Sequence, residues 1–366
     1  MFFYDKNNNL VTVSNSILKY FTGMNLNSTC EPLDNILKQK NYKKIVVMLF
    51  DGLGKSIREK HLSPNDFLRK KEKFTITSVF PPTTVAATTA FLTGLYPNQS
   101  GWLGWRQYFK QHDVIVEMFT NKRVDTDEKL NGPHLSYMYC GYESIIDHIN
   151  QNSNIKAYSL YPKNINPDGA EDLNDFFIKA DKYMKQDDSH FIYMYWPEPD
   201  HQMHDNGVDS QIVKANIKQI NKRLCRLAKE NKDNLIIVLA DHALVDTKFF
   251  HINEHQDFKD CLTSITSLES RSCFFHVKQD KISEFSTIFD KYYGKYFILK
   301  TKEEVIKEKV FGEGENHPLF EDFLGDFMAT SISEYGFNDL DEDPFIGAHA
   351  GSLEEESLIS VSIINQ

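Results

Sequence analysis

Three short, continuous apolar runs constrain this chain more than any other feature: Ile45–Phe50 (IVVMLF), Phe191–Trp196 (FIYMYW) and Leu235–Ala240 (LIIVLA). Each is too short for an independent helix and shows no alternation, the pattern of a strand buried on both faces of a parallel sheet. Between the second and third lies an amphipathic helix from Val208 to about Asn231, with Val213, Ile217, Ile220, Leu224 and Leu227 on one stripe. A helix-then-strand pattern over 142–166 and a helix over Asp172 to Lys185 complete an alternating order. The expected fold is α/β: a three-layer α/β/α sandwich around a central, mostly parallel sheet.

Each apolar run ends in or runs into an acid. Asp51 follows the first, Pro197-Glu198-Pro199-Asp200 the second, and Asp241-His242 the third. The carboxyl ends of parallel strands share one edge, where open α/β sheets place ligand sites. Asp200 and His204 form a DxxxH spacing, which on a helical turn puts both on one face. His349 sits in the Gly/Ala loop GAHAG. Singly, these residues also fit bland roles: Asp51 as a turn cap, Asp200 and His204 as a solvated polar loop. Together, three uncompensated acids on one edge would repel one another and resist desolvation, which divalent cations relieve. Asp and His without thiolates suit Zn²⁺, with Mn²⁺ as the alternative, better than Ca²⁺.

The stretch Phe80 to Gly94 (FPPTTVAATTAFLTG) leads two prolines into a helix starting near Val85. A hydroxyl such as that of Thr84, at the cap or first turn, faces the positive helix end where phosphates bind. It is either an ordinary cap or a nucleophile toward phosphorus. Two cations ~4 Å apart would activate such a hydroxyl and stabilise the leaving oxygen. Downstream, Trp102, Trp105 and Arg106 form an aromatic-rich stretch that either packs the core or lines a substrate pocket.

The bounds from composition agree. With 366 residues, 41% hydrophobic and 25% charged, including 27 Phe and 17 Tyr, the chain can bury a large core. A net charge of −11 excludes a nucleic-acid scaffold protein, which needs a basic face, but not a small phosphorylated substrate. Five scattered cysteines without a CxxC pair read as reduced thiols, and the N-terminus shows no leader pattern, so a cytoplasmic protein is expected. No apolar segment reaches membrane-spanning length. Residues from about 245 to 309 read as a small inserted subdomain or peripheral layer within one catalytic domain covering 1–366, with His251, His255 and His276 structural or exposed.

FDG at Phe50 to Gly52, PPTTVAATTAFLTGLYP, DHQMH at Asp200 to His204, ADH at Ala240 to His242 and GAHAG at Gly347 to Gly351 together resemble the alkaline-phosphatase superfamily. Within it, the match is best to the type I phosphodiesterase/nucleotide pyrophosphatase branch. The resemblance implies an alkaline-phosphatase-like fold and two metal sites, one of Asp51, Thr84, Asp241 and His242, the other of Asp200, His204 and His349. It implies that Thr84, not Thr83, is the nucleophile, forming a phosphothreonine intermediate during hydrolysis of phosphodiesters or nucleotide pyrophosphates. Two departures stand out. Trp105 occupies the place of a phosphate-holding Asn in eukaryotic members, and Ser100-Gly101 replaces their His-Gly. The sulfatase signature CxPxR is absent, and His317 reads as structural. A phosphomonoesterase or phosphonate hydrolase on the same scaffold is the main alternative, with Arg106 the nearest added cation. A metal-stabilised binding protein without activity is the more distant one.

Overall fold

In the computed structural model, which describes residues 4–339 and 344–365, six strands form the central sheet. Their spatial order is Glu72–Thr77, Leu358–Ile364, Leu235–Leu239, Lys44–Phe50, His190–Trp196, Lys156–Leu160. The last four run parallel, with Lys44–Phe50 between Leu235–Leu239 and His190–Trp196. Leu358–Ile364 is antiparallel to both its neighbours. The three apolar runs therefore occupy the sheet centre, and every residue of His190–Trp196 and Leu235–Leu239 is buried. Helices cover the faces, including Gln211–Glu230, whose buried stripe contains Val213, Ile217, Ile220, Leu224 and Leu227.

A second, antiparallel sheet is ordered Phe297–Thr301, Phe327–Ser331, Ser272–Phe275, Ser267–Leu268, Arg106–Phe109, Val114–Glu117. Region 245–309 supplies three of these strands, and the other three come from 106–117 and 327–331. Both faces of this sheet are apolar, and the two-residue period divides them: Phe274 and Met328 enter one cluster with Trp102 and Phe311, while Cys273, Phe275 and Ala329 enter another with Phe258 and Phe289. The tight hairpin between Ser267–Leu268 and Ser272–Phe275 points its turn, Glu269 to Arg271, back toward the carboxyl edge of the central sheet through side chains described below. Five cysteines are free thiols. Among the described residues, no helix is long and apolar enough to cross a membrane.

Candidate active site

The central strand Lys44–Phe50 ends at Asp51, whose N–H still donates across the sheet to the Trp196 carbonyl at 2.9 Å. The chain then turns at Gly52, with φ +70°, and the Gly52 N–H donates to Asp241 Oδ1 at 3.0 Å. A side chain here would be strained by φ and would also meet Met203, Asp200 and Leu244 within 2.9 Å. The glycine thus lets the three strand-end acids approach one another. Tyr195, one residue before the end of its strand, donates its hydroxyl to Asp51 Oδ2 at 2.5 Å.

Thr84 is the first residue of the helix Thr84–Thr93, which ends at left-handed Gly94. Small residues Ala86, Ala87 and Ala90 let this helix sit buried almost all round. Its start abuts the strand ends: Thr84 Oγ1 lies 3.2 Å from Asp51 Oδ2 and 3.2 Å from His242 Nε2. His242 Nε2 is in turn 3.4 Å from Asp51 Oδ1 and 3.6 Å from Asp241 Oδ2.

Asp200 opens the short helix Asp200–Asn206, and its N–H donates to the Asp51 carbonyl at 3.1 Å. One turn on, His204 Nε2 is 3.2 Å from Asp200 Oδ2, while its Nδ1 lies 2.8 Å from the Gly347 carbonyl. That carbonyl holds the Nδ1 proton and leaves Nε2 to face the carboxylate, the orientation a metal-binding histidine adopts. His349 closes the group with Nε2 4.0 Å from Asp200 Oδ1 and its ring 4.0 Å from that of His242. Its loop is fixed from the second sheet: Ser272 Oγ donates to the Ala350 carbonyl at 2.5 Å, and Glu356 accepts the Gly351 N–H at 2.8 Å. Glu356 is itself paired with Arg271, and both side chains are fully buried.

The electrostatics are those of buried acids and histidines that oppose one another's charge. Burial, then the charges of Asp241 and Asp200, push the Asp51 carboxyl well up, and burial also raises Asp241. Burial opposes ionisation of Asp200 too, but the adjacent His204 charge outweighs it and holds Asp200 below the usual carboxylate range. Burial likewise disfavours charge on His204, yet Asp200 raises it to about 9. Burial, then neighbouring His242, drives His349 well down. Among the described residues, Asp200 Oδ1, Asp241 Oδ2 and His349 Nδ1 are buried without a hydrogen-bond partner, a costly state that bound cations would relieve. Two groups have ligand atoms close enough to share an ion: Asp200, His204 and His349, and Asp51, Asp200 and His242. The carboxylate and imidazole donors fit divalent metal ions.

The expected pocket residues divide. Trp102 lies at 0% exposure, its indole N–H donated to the Cys140 carbonyl at 2.7 Å, so it packs in the core. Arg106 is bound to Asp339 at 2.8 Å, and Asp339 also accepts from Thr266, so its charge is already matched. Trp105 is half-buried against the edge of Phe119. His317 stacks on Phe323, His255 stacks on Tyr292, and His276 contacts Ser267, all apart from the cluster. Sequence reasoning missed Tyr195, Glu269 and Arg271. Tyr195 was hidden in a run where every residue is apolar or aromatic, and the other two lie in a turn without a local signature.

The fold, a central sheet flanked by helices, is alkaline-phosphatase-like. A family model for type I phosphodiesterase / nucleotide pyrophosphatase matches residues 45–351, and the chain belongs to that family of phosphoric ester hydrolases. Murine ectonucleotide pyrophosphatase/phosphodiesterase 5, as an inactive variant in complex with AMP, superposes with TM-score 0.65 at 18% identity, over 87% of each chain. The human protein gives 0.66 at 15%, over 88% of this chain and 87% of that one. Phosphonoacetate hydrolase from Sinorhizobium meliloti, in complex with phosphonoformate, gives 0.64 at 12%, over 88% and 90%. A search of curated proteins returns no match.

Proposed function

We propose that this protein hydrolyses phosphodiesters or nucleotide pyrophosphates, with Thr84 as nucleophile and two divalent cations, Zn²⁺ before Mn²⁺, at the strand-end cluster. The observation that carries this reading is the Thr84 hydroxyl, at a helix start and 3.2 Å from both Asp51 and His242. Asp51, Asp241 and His242, with Thr84, would hold one cation; Asp200, His204 and His349 the other. When bound, the cations neutralise the carboxylates, favour the ionised hydroxyl and offset phosphate charge. The Thr84 oxygen attacks phosphorus in line; its bond to phosphorus forms as the bond to the alcohol or nucleoside-type leaving group breaks. Water then attacks the phosphothreonine from the opposite side, freeing a phosphomonoester and restoring the hydroxyl. The amide end of the Thr84–Thr93 helix faces the transferred group and favours its negative charge.

A small phosphorylated substrate, a nucleotide among the options, is consistent with the AMP bound in the murine relative. Residues 1–366 act as one catalytic domain in this reading, since the second sheet holds the loop of His349. Five free thiols favour a reducing compartment such as the cytoplasm. Hydrolysis of a phosphonate is the second reading, supported by the similarity to phosphonoacetate hydrolase. A phosphomonoesterase is disfavoured by Arg106, whose charge Asp339 already matches. The test is turnover of bis(p-nitrophenyl) phosphate against phosphonoacetate by metal-loaded enzyme. Thr84→Ala should abolish diester turnover while metal content stays near that of the native protein. Native activity that survives exhaustive chelation would sink the proposal.

A further inference from the structure

The residue at the N-cap of the Thr84–Thr93 helix, Thr83, turns its hydroxyl to a partner outside the helix. A threonine at the N-cap ordinarily accepts a hydrogen bond from the second or third amide of its helix. Thr83 has the extended backbone of such a cap, φ −140° and ψ 149°, yet its side chain makes no capping bond. Instead its hydroxyl donates to Glu269 Oε1 at 2.5 Å. The same oxygen accepts the Trp105 N–H at 2.7 Å. The helix's first internal bond runs from the Ala87 N–H to the Thr83 carbonyl at 2.8 Å. The amides of Thr84, Val85 and Ala86 are therefore those that a helix start leaves for an outside acceptor. This helix start meets the strand-end cluster through Thr84 Oγ1, 3.2 Å from both Asp51 Oδ2 and His242 Nε2. Two carboxylate oxygens of that cluster, Asp200 Oδ1 and Asp241 Oδ2, are buried with no hydrogen-bond partner among the described residues, as a place built for a ligand requires.

We propose that Glu269 is a positioning residue that holds the Thr83 hydroxyl off the helix start and so reserves those amides for a phosphate oxygen of the substrate. The inference rests on Thr84 being the nucleophile, because only then does the substrate's phosphorus lie at this end of the helix. Glu269 touches no substrate atom in this arrangement; it acts through Thr83. Its place in the hairpin turn after Leu268 lets the second sheet deliver a carboxylate to a helix start on the first. Without that carboxylate the freed hydroxyl rotates onto its own helix and competes with the phosphate for the same donors.

The experiment compares metal-loaded wild type, Glu269→Ala, Thr83→Val/Glu269→Ala and Glu269→Gln on bis(p-nitrophenyl) phosphate, with thermal melts on each. Glu269→Ala should lower kcat/KM by roughly 10-fold or more, on the scale of losing a preorganised donor to a developing oxyanion. The double variant has no hydroxyl to cap the helix and should recover to within about fivefold of wild type, although the Trp105 amide still lacks its acceptor. A double variant no better than Glu269→Ala overturns the proposal and leaves Glu269 a tie between sheet and helix. Glu269→Gln settles the case if Glu269→Ala does not fold. Its amide oxygen accepts both bonds, so activity within about threefold supports the proposal and a larger loss overturns it. Wild type inert toward the diester would instead overturn the assignment of the reaction.

Discussion

Arg271 and Glu356 face each other in a doubly hydrogen-bonded pair, Nε to Oε1 at 2.8 Å and Nη2 to Oε2 at 2.9 Å, with both side chains fully buried. Arg271 also reaches the carbonyls of Ser333 and Tyr335, and Glu356 holds Gly351 two residues from His349. The pair joins the second sheet to the loop carrying a candidate metal ligand. Arg271→Met would strand a buried carboxylate, and stability should fall by about 3–5 kcal/mol. Urea denaturation measures it; a loss below about 1 kcal/mol would show that water or a new partner reaches Glu356.

Gly52 is the point where the strand-end acids come together. Gly52→Ala adds strain at positive φ and a contact within 2.9 Å of the Asp200 side chain. Displacing a reacting group by about 1 Å costs around 100-fold, so turnover should drop by at least ~10-fold. Metal stoichiometry, measured beside activity, should fall with it.

Chelation provides a third check. If the cluster holds cations tightly, metal at 100 times its dissociation constant adds about 2.7 kcal/mol of stability. Exhaustive chelation should therefore abolish turnover and lower the melting temperature by several degrees, and Zn²⁺ should restore both. An unchanged melting temperature would mean that the buried acids do not hold the ions.

Protonation of His276 should make the fold acid-sensitive. Burial lowers this ring from 6.5 to about 4. Below pH 6.5 the unfolded chain takes up a proton that the folded one does not, so stability is fully present above that pH and is lost progressively toward pH 4. The shift amounts to at most about 3 kcal/mol. Denaturation midpoints of wild type and His276→Gln across this window should converge as pH falls, since the variant lacks the titration.

Trp102 should matter to stability and not to substrate. Trp102→Ala opens a cavity in the second sheet's core, with a loss of about 3–5 kcal/mol. The KM of folded variant for bis(p-nitrophenyl) phosphate should stay within about twofold, because an interaction absent from both ground and transition states leaves KM alone.

Much of the central sheet was legible in the sequence because its signals are local. Apolar runs of six residues ending in acids placed Asp51, Asp200 and Asp241, and the four-residue spacing of Asp200 and His204 became a contact within one helical turn. The short apolar run CFFHV at Cys273 to Val277 read as a strand and forms Ser272–Phe275, but the pairing of the second sheet was not legible. Its strands are short and drawn from separated segments, Arg106–Phe109, Ser272–Phe275 and Phe327–Ser331 among them, and no nearby pattern announces such pairings. The contributions of Glu269 and Arg271 follow from where that sheet puts a hairpin turn, which no local spacing encodes. For Trp102 the sequence left core and pocket both open, and the fold turns it inward.

The antiparallel strand Leu358–Ile364 lies between Glu72–Thr77 and the rest of the central sheet, with Thr77 opposite Leu358. On a ribosome adding roughly 5–20 residues per second, Glu72–Thr77 must therefore wait for almost the whole chain before it finds its partner. During that wait it is an exposed strand edge, open to pairing with other nascent chains. Lys70, Lys71 and Lys73 cluster at its start, as charges do where an aggregation-prone strand needs a guard. Slower, cooler synthesis should raise the soluble yield of this protein, and replacing those three lysines with neutral residues should lower it.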